Sequence, residues 1–514
     1  MPVHYLNGAA RLSASSPVPR DSASALAGLL PSAEHEETHL SHIFLTDDTV
    51  YKLKKSVHLP FADFSTIGKR HAACAKELEV NRESGGELYR DIVPLTRKDG
   101  EHAIDGEGVP VDWLVRMHRF GPQDRGDRAM EAGRISGEML RDFVDHLYRR
   151  HEGTPKAEGL DWRSKVRLTL KNVAATLLEQ DLSAETEERA SRWFADLAGR
   201  FAACGEDLDG RNASVLDSTH GDLHLKNLCI IDGRVIAYDA LEFDRDLVRI
   251  DPLYDLAFLV ADLWHHSHAC AANAVMNRYL GLSAAYEAAP LLSLYASLRL
   301  GIRALAEAMS DRRAEAEAYL VSAAGFLAPV EPVTLLLSGR SGTGKSSLAA
   351  KLATDFLPPP GAVHLRSDVL RKRMNNTWPE DTLCDAAYTP WARDEVYQRF
   401  EEISASISGR VPLILDIALA GSSEAPRLED LATSKVWLTA PDNVLSERLK
   451  RRQGDASDAD AAVMITQRGD PPSMAWTVIE ATGSLDEVAD RIREALSAEN
   501  GEEGDVPYDP RHEV

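Results

Sequence analysis

The octapeptide HGDLHLKN, His220–Asn227, sets an aspartate five positions ahead of an asparagine, and a second aspartate, Asp239, follows an apolar run. Those residue types in that order suit transfer of a phosphoryl group from ATP. Asp222 can take the proton of an attacking hydroxyl, while Asn227 and Asp239 can hold Mg2+ against the phosphates. Leu223 and Leu225 anchor the loop, and His220 shapes it by hydrogen bonding. Glu242 and Asp244 lie close by and can assist, and Asp255 in DPLYDLAF is placed to brace the loop. A surface turn rich in Asp and Asn is the alternative for the octapeptide alone; the strand-like run ending at Asp239 argues against it.

A second phosphate-handling pattern follows. GRSGTGKS, Gly339–Ser346, meets GxxxxGK[ST] between the apolar run VTLLLSG and the helix-forming SSLAAKLA. The backbone amides of Gly339, Arg340, Ser341, Gly342, Thr343, Gly344, Lys345, Ser346 and Ser347 can approach phosphates, helped by the helix dipole. Lys345 would reach the β- and γ-phosphates and Ser346 would hold Mg2+. Asp416, ending PLILD, is a further candidate for the metal or its water. In RSDVLRKR, Asp368 can orient or deprotonate a hydroxyl and Arg371 can hold an anionic group; the same segment also reads as an N-cap followed by solvated basic residues. Arg448 and Arg452, in LSERLKRRQGDASDAD, are candidates to neutralise the transferring phosphoryl, or else helix-surface arginines.

The elements that must position these groups change character along the chain. Residues 1–35 read as a flexible arm, with a short apolar patch at Ala25–Leu30 as the alternative of a docking helix. HLSHIFL and TVYKLKK flank a Thr-Asp-Asp turn and read as a hairpin within Thr38–Lys55. Ser65 is the expected cap of a helix to about Ser84, with Ile67, Cys74 and Leu78 on its apolar face. Two more strands are expected at Asp91–Leu95 and Val111–Met117. Helical patterning runs from Asp124 to Arg200 and from Asp251 to Phe326, around a β-rich interlude at Val215–Asp244. This predicts an α+β domain over 36–326, with a small lobe at about 36–120 and a large lobe at about 121–326. LAPVEP, residues 327–332, reads as a linker. Beyond it, Val333–Ser338, Ala362–Arg366, Pro412–Ile417, Lys435–Thr439 and Trp476–Glu480 read as strands separated by helices. That alternation predicts an α/β domain over 333–498 with a doubly wound parallel sheet. Residues 499–514 read as an acidic disordered tail.

Bulk properties narrow the function classes. A chain of 514 residues exceeds one core. Its formal net charge of -23 argues against a general nucleic-acid binder. No apolar run spans a bilayer and no targeting pattern opens the sequence. The five cysteines are scattered and include no CxxC pair, which fits free thiols in a reducing, cytoplasmic compartment.

HGDLHLKNL, YDALEFD and DPLYDLAFLVADL together resemble the aminoglycoside phosphotransferase group of protein-kinase-like enzymes. That resemblance implies a small-lobe lysine for the α/β-phosphates and a helix glutamate to hold it. Lys52 fits the lysine, with Lys54 as rival on the same strand face; Glu77 fits the partner, with Glu79 second. It also implies that DWLVRMHRF, Asp112–Phe120, supplies the strand and hinge for adenine. No glycine-rich loop precedes Lys52, a departure from the kinase pattern. The order GRSGTGKS, RSDVLRKR, LDIA, RLKRR, GDASDAD resembles P-loop small-molecule kinases of the gluconate kinase and zeta-toxin-like group, and bacterial fusions of the two domain types. The resemblances imply a bifunctional ATP- and Mg2+-dependent phosphotransferase acting on hydroxyl groups of small molecules, as a monomer or small homo-oligomer. The alternative keeps the P-loop half as the kinase and makes the first half a nucleotide or ligand sensor. An AAA-type mechanical ATPase fits less well, because the second half lacks an obvious helical lid domain.

Overall fold

The computed structural model describes residues 20–38, 40–59, 62–242, 244–330, 333–419, 425–451, 456–459, 464, 467 and 470–500. Its first element corrects the expected arm. Helix α1 (Arg20–Leu29) is formed, and Leu26 is fully buried among Phe44, Leu53, Val93 and Leu114. Ala23, Leu30 and Ala33 pack beside it and help to fix this segment; residues 1–19 and the expected tail beyond residue 500 lie outside the described residues.

The small lobe is a six-stranded antiparallel sheet. Its strands are β1 (Glu34–Glu37), β2 (Ser41–Leu45), β3 (Thr49–Lys54), β4 (Tyr89–Lys98), β5 (Glu101–Ile104) and β6 (Val109–His118), in the order β1-β2-β3-β6-β4-β5. The β2–β3 pair is the expected hairpin, with Phe44 opposite Tyr51. Between β3 and β4 runs α2 (Ile67–Gly85). Its N-cap is Thr66, which accepts the Lys69 amide, and not Ser65, whose amide and hydroxyl are taken by Asp63. Cys74 faces the core with Leu88, Tyr89 and Val115, and Leu78 packs at its edge. Ile67 opens the first turn and remains 41% exposed, so it does not belong to that face.

The first half of the large lobe carries three long helices, α3 (Gly137–Gly153), α4 (Trp162–Leu178) and α5 (Ala184–Ala203). Each opens on a side-chain cap, from Ser136, Asp161 and Ser183 respectively. A short antiparallel ribbon, β7 (Leu228–Ile231) and β8 (Arg234–Ala237), then separates His220–Asn227 from Asp239. Four long helices follow: α6 (Pro252–His265), α7 (Ala269–Ser283), α8 (Pro290–Met309) and α9 (Arg313–Gly325). This is the two-lobed, kinase-like α+β architecture that the sequence predicts.

The chain divides into two units, Met1–Asp262 with Tyr295–Ala324, and Leu263–Leu294 with Gly325–Val514. Residues 263–294, expected in the first domain, therefore group with the second. The cause is polar. On α7, Asn273 Nδ2 donates to the carbonyls of Pro360 and Ala362 at 2.9 and 3.1 Å. Asn277 Oδ1 accepts the His364 amide at 2.7 Å. These amides cover an otherwise unpaired sheet edge.

The second unit carries a five-stranded, all-parallel sheet. Along the chain run β9 (Thr334–Gly339), α10 (Lys345–Leu352), β10 (Val363–Arg366), α11 (Ser367–Met374), α12 (Pro390–Ile407), β11 (Leu413–Asp416), β12 (Ser434–Thr439), α13 (Asp442–Arg451), β13 (Thr477–Glu480) and α14 (Leu485–Asn500). The strand order is β10-β11-β9-β12-β13. Central β9 is buried at every position, as a parallel strand covered on both faces must be. In such sheets ligands bind beyond the carboxyl ends of the strands, which is where β9 delivers the glycine-rich loop and β11 delivers Asp416.

Candidate functional site

In the first unit, two carboxylates and an arginine fix the backbone of the loop 220–227. Asp255 on α6 accepts the amides of His220 and Gly221 at 3.1 and 2.9 Å. Two helical turns further, Asp262 accepts the Leu225 amide at 2.8 Å. Arg299 on α8 donates to the Gly221 carbonyl at 3.0 Å and lies over the Tyr254 ring. Asp251, just ahead of α6, takes both Arg211 nitrogens at 2.7 and 2.8 Å. Burial pushes His220 down to about 4. Its neutral ring gives the Nε2 proton to the Tyr238 carbonyl at 3.0 Å, tying the loop to the end of β8.

Asp222 and Asn227 are brought together on this frame. Asn227 Nδ2 donates to the Asp222 carbonyl at 2.9 Å and to its Oδ2 at 3.1 Å. That leaves the Asn227 side-chain oxygen without a donor among the described residues. Burial alone would raise the Asp222 carboxyl, yet His224, 3.5 Å away, holds it well below the usual carboxylate range. Asp239 adopts φ +59°, and its amide donates to the Tyr89 hydroxyl at 3.0 Å.

Lys52 and Lys54, two apart on β3, both reach Glu77. Lys52 Nζ lies 2.7 Å from Glu77 Oε1 and 2.6 Å from Asp239 Oδ1. Lys54 Nζ lies 2.5 Å from Glu77 Oε2 and also pairs with Glu242. Burial opposes the charge on Lys52, but Asp239 and Glu77 hold it well above the ordinary lysine range. Burial and repulsion from Glu77 raise Glu242. Glu79 is exposed and pairs with Lys76, away from this cluster. Of the segment expected near adenine, Asp112–His118 lies within β6, and the Phe120 ring packs edge-on against Tyr238.

In the second unit the P-loop borders a cavity of about 1330 Å³. Gly339 and Gly342 have φ +143° and +88°, and a Cβ on either would lie 2.4 Å from the Leu438 carbonyl or 2.9 Å from that of Leu445. Only glycine lets β12 and α13 approach the loop this closely. Lys345 Nζ donates to the Gly339 and Arg340 carbonyls at 2.9 and 3.2 Å. The Ser341 amide donates to Gln467 and the Thr343 hydroxyl to the Arg340 carbonyl. Arg340 itself pairs with Asp442 at 2.6 Å, pointing away from a phosphate role for its side chain. Gly344 is the N-cap of α10, while Ser346 and Ser347 line the cavity from its first turn.

Ser346 Oγ donates to Asp416 Oδ2 at 2.6 Å. His364 on β10 reaches the same oxygen at 3.1 Å, with Arg366 Nε at 3.7 Å. Burial would raise Asp416, but His364, Arg366 and Lys345 hold it well below the usual carboxylate range. Asp368 and Arg371 both line the cavity from α11. Arg448 lines it too and donates weakly to the Thr343 carbonyl at 3.4 Å; Arg452 lies outside the described residues. His364, Arg393, Tyr388 and the pair Lys372–Asp458 were not singled out by the sequence. Asp262 and Arg299 were missed in the first unit; the spacing of Asp255 and Asp262, on one helix face, was the available signal.

Among the described residues, no group of three or more His, Cys, Asp or Glu gathers as a metal cage. Sparse hard-oxygen sets fit Mg2+ better, since it keeps water and phosphate ligands and needs one or two protein oxygens. Ser346 with Asp416 offers one such set; in the first unit Asn227 bonds Asp222 and Asp239 pairs with Lys52. No described helix is long and apolar enough to cross a membrane.

Residues 335–470 match the family model of the AAA domain. Over 458 residues, 84% of this chain and 89% of theirs, the chain is 25% identical to uncharacterized proteins of Mycobacterium tuberculosis and Mycobacterium bovis. Among solved structures, a choline/ethanolamine kinase family protein from Mesorhizobium loti is 14% identical, with a TM-score of 0.37 over 59% of this chain and 90% of that one. A gluconokinase from Sinorhizobium meliloti is 21% identical, with a TM-score of 0.24 over 33% of this chain and 93% of that one. The segment 335–470 matches the AAA family model and carries the P-loop, and the two-lobed α+β unit precedes it in the same chain.

Proposed function

We propose that this chain is an ATP-dependent phosphotransferase with one active site in each unit, both acting on hydroxyl groups of small molecules. The observation that carries the reading is that one cavity of the second unit gathers both groups of residues. Lys345, Ser346 and Asp416 stand on its nucleotide side, and Asp368 and Arg371 share the same walls. A nucleotide-driven machine needs the first group alone; the second supplies what an acceptor hydroxyl requires.

In the second unit the P-loop amides and Lys345 bind the β- and γ-phosphates, and Ser346 and Asp416 hold Mg2+. The chemistry supplied by that metal, when bound, is neutralisation of charge on the phosphate oxygens. The acceptor oxygen bonds to the γ-phosphorus as the bond to the bridging oxygen breaks, and the electron pair leaves with ADP. Asp368 takes the hydroxyl proton, and Arg448 offsets charge on the moving group. In the first unit Lys52, held by Glu77, takes the nucleotide phosphates, while Asn227 and Asp239 hold Mg2+. Asp222 is already ionised and hydrogen-bonded, so it orients the acceptor and receives its proton late, as a loose transition state allows. The Lys52–Asp239 contact must open for this. That requirement favours, as a second reading, a first unit that senses nucleotide or ligand while the second performs the transfer.

None of the five cysteines is in a disulfide, which supports a reducing, cytoplasmic setting. The reading includes a monomer or small homo-oligomer with neither nucleic acid nor membrane as partner. Radiolabelled transfer from ATP and ATP binding, measured on Asp222→Asn and Lys345→Ala, test it. Each variant is expected to remove a different acceptor activity. Transfer that survives Asp222→Asn in full, with ATP still bound by the first unit, selects the sensor reading. Transfer that survives both variants defeats the proposal.

A further inference from the structure

On the acceptor side of the second unit's cavity two arginines, Arg371 and Arg393, and two carboxylates, Asp368 and Asp385, stand without an ion pair among the described residues. Arg371, on α11, is only 8% exposed. Its Nη1 donates to the Ala387 carbonyl at 3.0 Å, and its guanidinium stands over the Tyr388 ring, 5.1 Å from the centroid. Its Nε is buried with no hydrogen-bond acceptor. Among the described residues no carboxylate pairs with it. Of the other acidic residues that line the cavity, Asp458 is already held by Lys372 at 2.6 Å, by the Leu383 amide at 3.1 Å and by the Tyr388 hydroxyl. Asp416 is occupied by Ser346 and His364. Arg393, in the first turn of α12, lines the same cavity and also has no ion pair among the described residues. Asp368, one helical turn before Arg371, lines it without a described hydrogen-bond partner.

A buried charge without a counter-ion is costly, and arginine cannot escape the cost by losing its proton. The guanidinium fork matches the oxygens of a carboxylate or phosphate, two at a time. Neither Asp368 nor Asp385 pairs with this buried fork, which is placed to take an anion that arrives with a ligand. Lys345, Arg448 and the loop amides already serve the nucleotide phosphates, so the anion belongs to the other substrate. The cavity leaves room for it: 1330 Å³ exceeds the roughly 300–1,000 Å³ of a site for one ligand of moderate size.

We infer that Arg371 and Arg393 form an oxyanion clamp, and that the acceptor of this unit is a hydroxy compound bearing a carboxylate or phosphate monoester, its hydroxyl set beside Asp368. The inference rests on the phosphotransferase reading and narrows its substrate class. Neutral and cationic polyols lack the group that neutralises Arg371 and are rejected for that reason.

The test uses the full-length chain with Mg2+ and probes matched in size but not in charge: gluconate against glucitol, glycerate against glycerol, and glycerol 3-phosphate against glycerol. Calorimetric binding in the presence of ADP and phosphoryl transfer from ATP are both read. At least one anionic member is expected to exceed its neutral partner by roughly 100-fold in affinity or kcat/KM, because a site built around a buried polar group rejects an analogue that leaves it unpaired. The carboxylate and phosphate arms show which oxyanion the fork takes. Arg371→Met is expected to cancel the preference and Arg393→Met to reduce it about tenfold. ADP binding reports whether each variant is folded, and the half-buried Arg393 position serves if Arg371→Met is not. If no anionic member exceeds its neutral partner, or if folded variants keep the preference, the inference is overturned. It is also overturned if Arg371→Met weakens ADP binding as strongly as acceptor binding, since the guanidinium then serves the nucleotide. ADP binding that does not depend on Lys345 at all would instead defeat the underlying functional reading.

Discussion

Lys54 and Glu242 form an ion pair almost sealed from water, with side chains 2% and 4% exposed. Beside it, Lys52 pairs with an Asp239 whose side chain is 48% exposed. Glu77, fully buried, gives one oxygen to each lysine. The two lysines thus differ: one pair is locked inside, and the other is half open, the pair to which the proposed function assigns the nucleotide phosphates.

Substitution separates the two lysines. Lys54→Met removes the cation from two buried carboxylates, and breaking a buried pair from one side costs roughly 3–5 kcal/mol. Glu242 is already raised toward its neutral form, so the loss should fall at the lower end. Lys52→Met leaves Asp239 to be solvated and should cost less, while ATP binding by the first unit is lost. Urea denaturation and nucleotide titration of both variants check this; equal stability losses would count against the division.

Much of this arrangement was legible in the sequence, and the limits are physical. Asp222, Asn227 and Asp239 announce themselves because a short loop and one ribbon fix their spacing. Lys345 and Ser346 do so because a P-loop is local. Local spacing could not choose between Lys52 and Lys54, and the structure shows why: both lie on one strand face, and both meet Glu77. His364 was invisible because its link to Asp416 runs across neighbouring parallel strands, in a register that local sequence does not encode. The boundary near residue 263 was missed because α7 is apolar enough to suit either unit. Its assignment turns on Asn273 and Asn277, two amides that meet backbone carbonyls and an amide far along the chain.

Asp222→Asn keeps the shape of the side chain and both Asn227 contacts within reach, but removes the proton acceptor. Transfer to the acceptor of the first unit is expected to fall about 10²–10⁴-fold, with ATP affinity changed little. Single-turnover transfer alongside equilibrium ATP binding checks it. A parallel loss of ATP binding would mean that the carboxylate supports the nucleotide and does not serve the acceptor.

Acid should loosen the first unit through His220. Burial depresses its pKa from 6.5 to about 4, so between those values the unfolded chain takes up a proton that the folded chain refuses. The stabilisation is fully present above pH 6.5 and is lost as pH falls toward 4, about 3 kcal/mol in all. His151 is depressed by burial in the same sense. His220→Gln keeps a donor for the Tyr238 carbonyl but cannot titrate. The wild-type advantage over this variant in urea should shrink between pH 7.5 and 4.5. An advantage that stays constant across that range would show that His220 is not held neutral.

His364 offers the sharpest contrast in the second unit. Its Nε2 and the Ser346 hydroxyl converge on Oδ2 of Asp416, which leaves Oδ1 without a donor among the described residues. A carboxylate fixed through one oxygen presents the other in a set direction toward the metal and its water. His364→Gln retains a donor at nearly the same reach, whereas His364→Leu fills the space and donates nothing. The leucine variant is expected to weaken Mg2+-dependent ADP binding about 10–100-fold, the usual cost of losing such an outer partner, while ADP binding without Mg2+ holds. The glutamine variant should recover most of the loss. Titrating Mg2+ against ADP affinity measures this without recourse to turnover. Equal behaviour of the two variants would show that His364 fills space beside Asp416 and does not orient it.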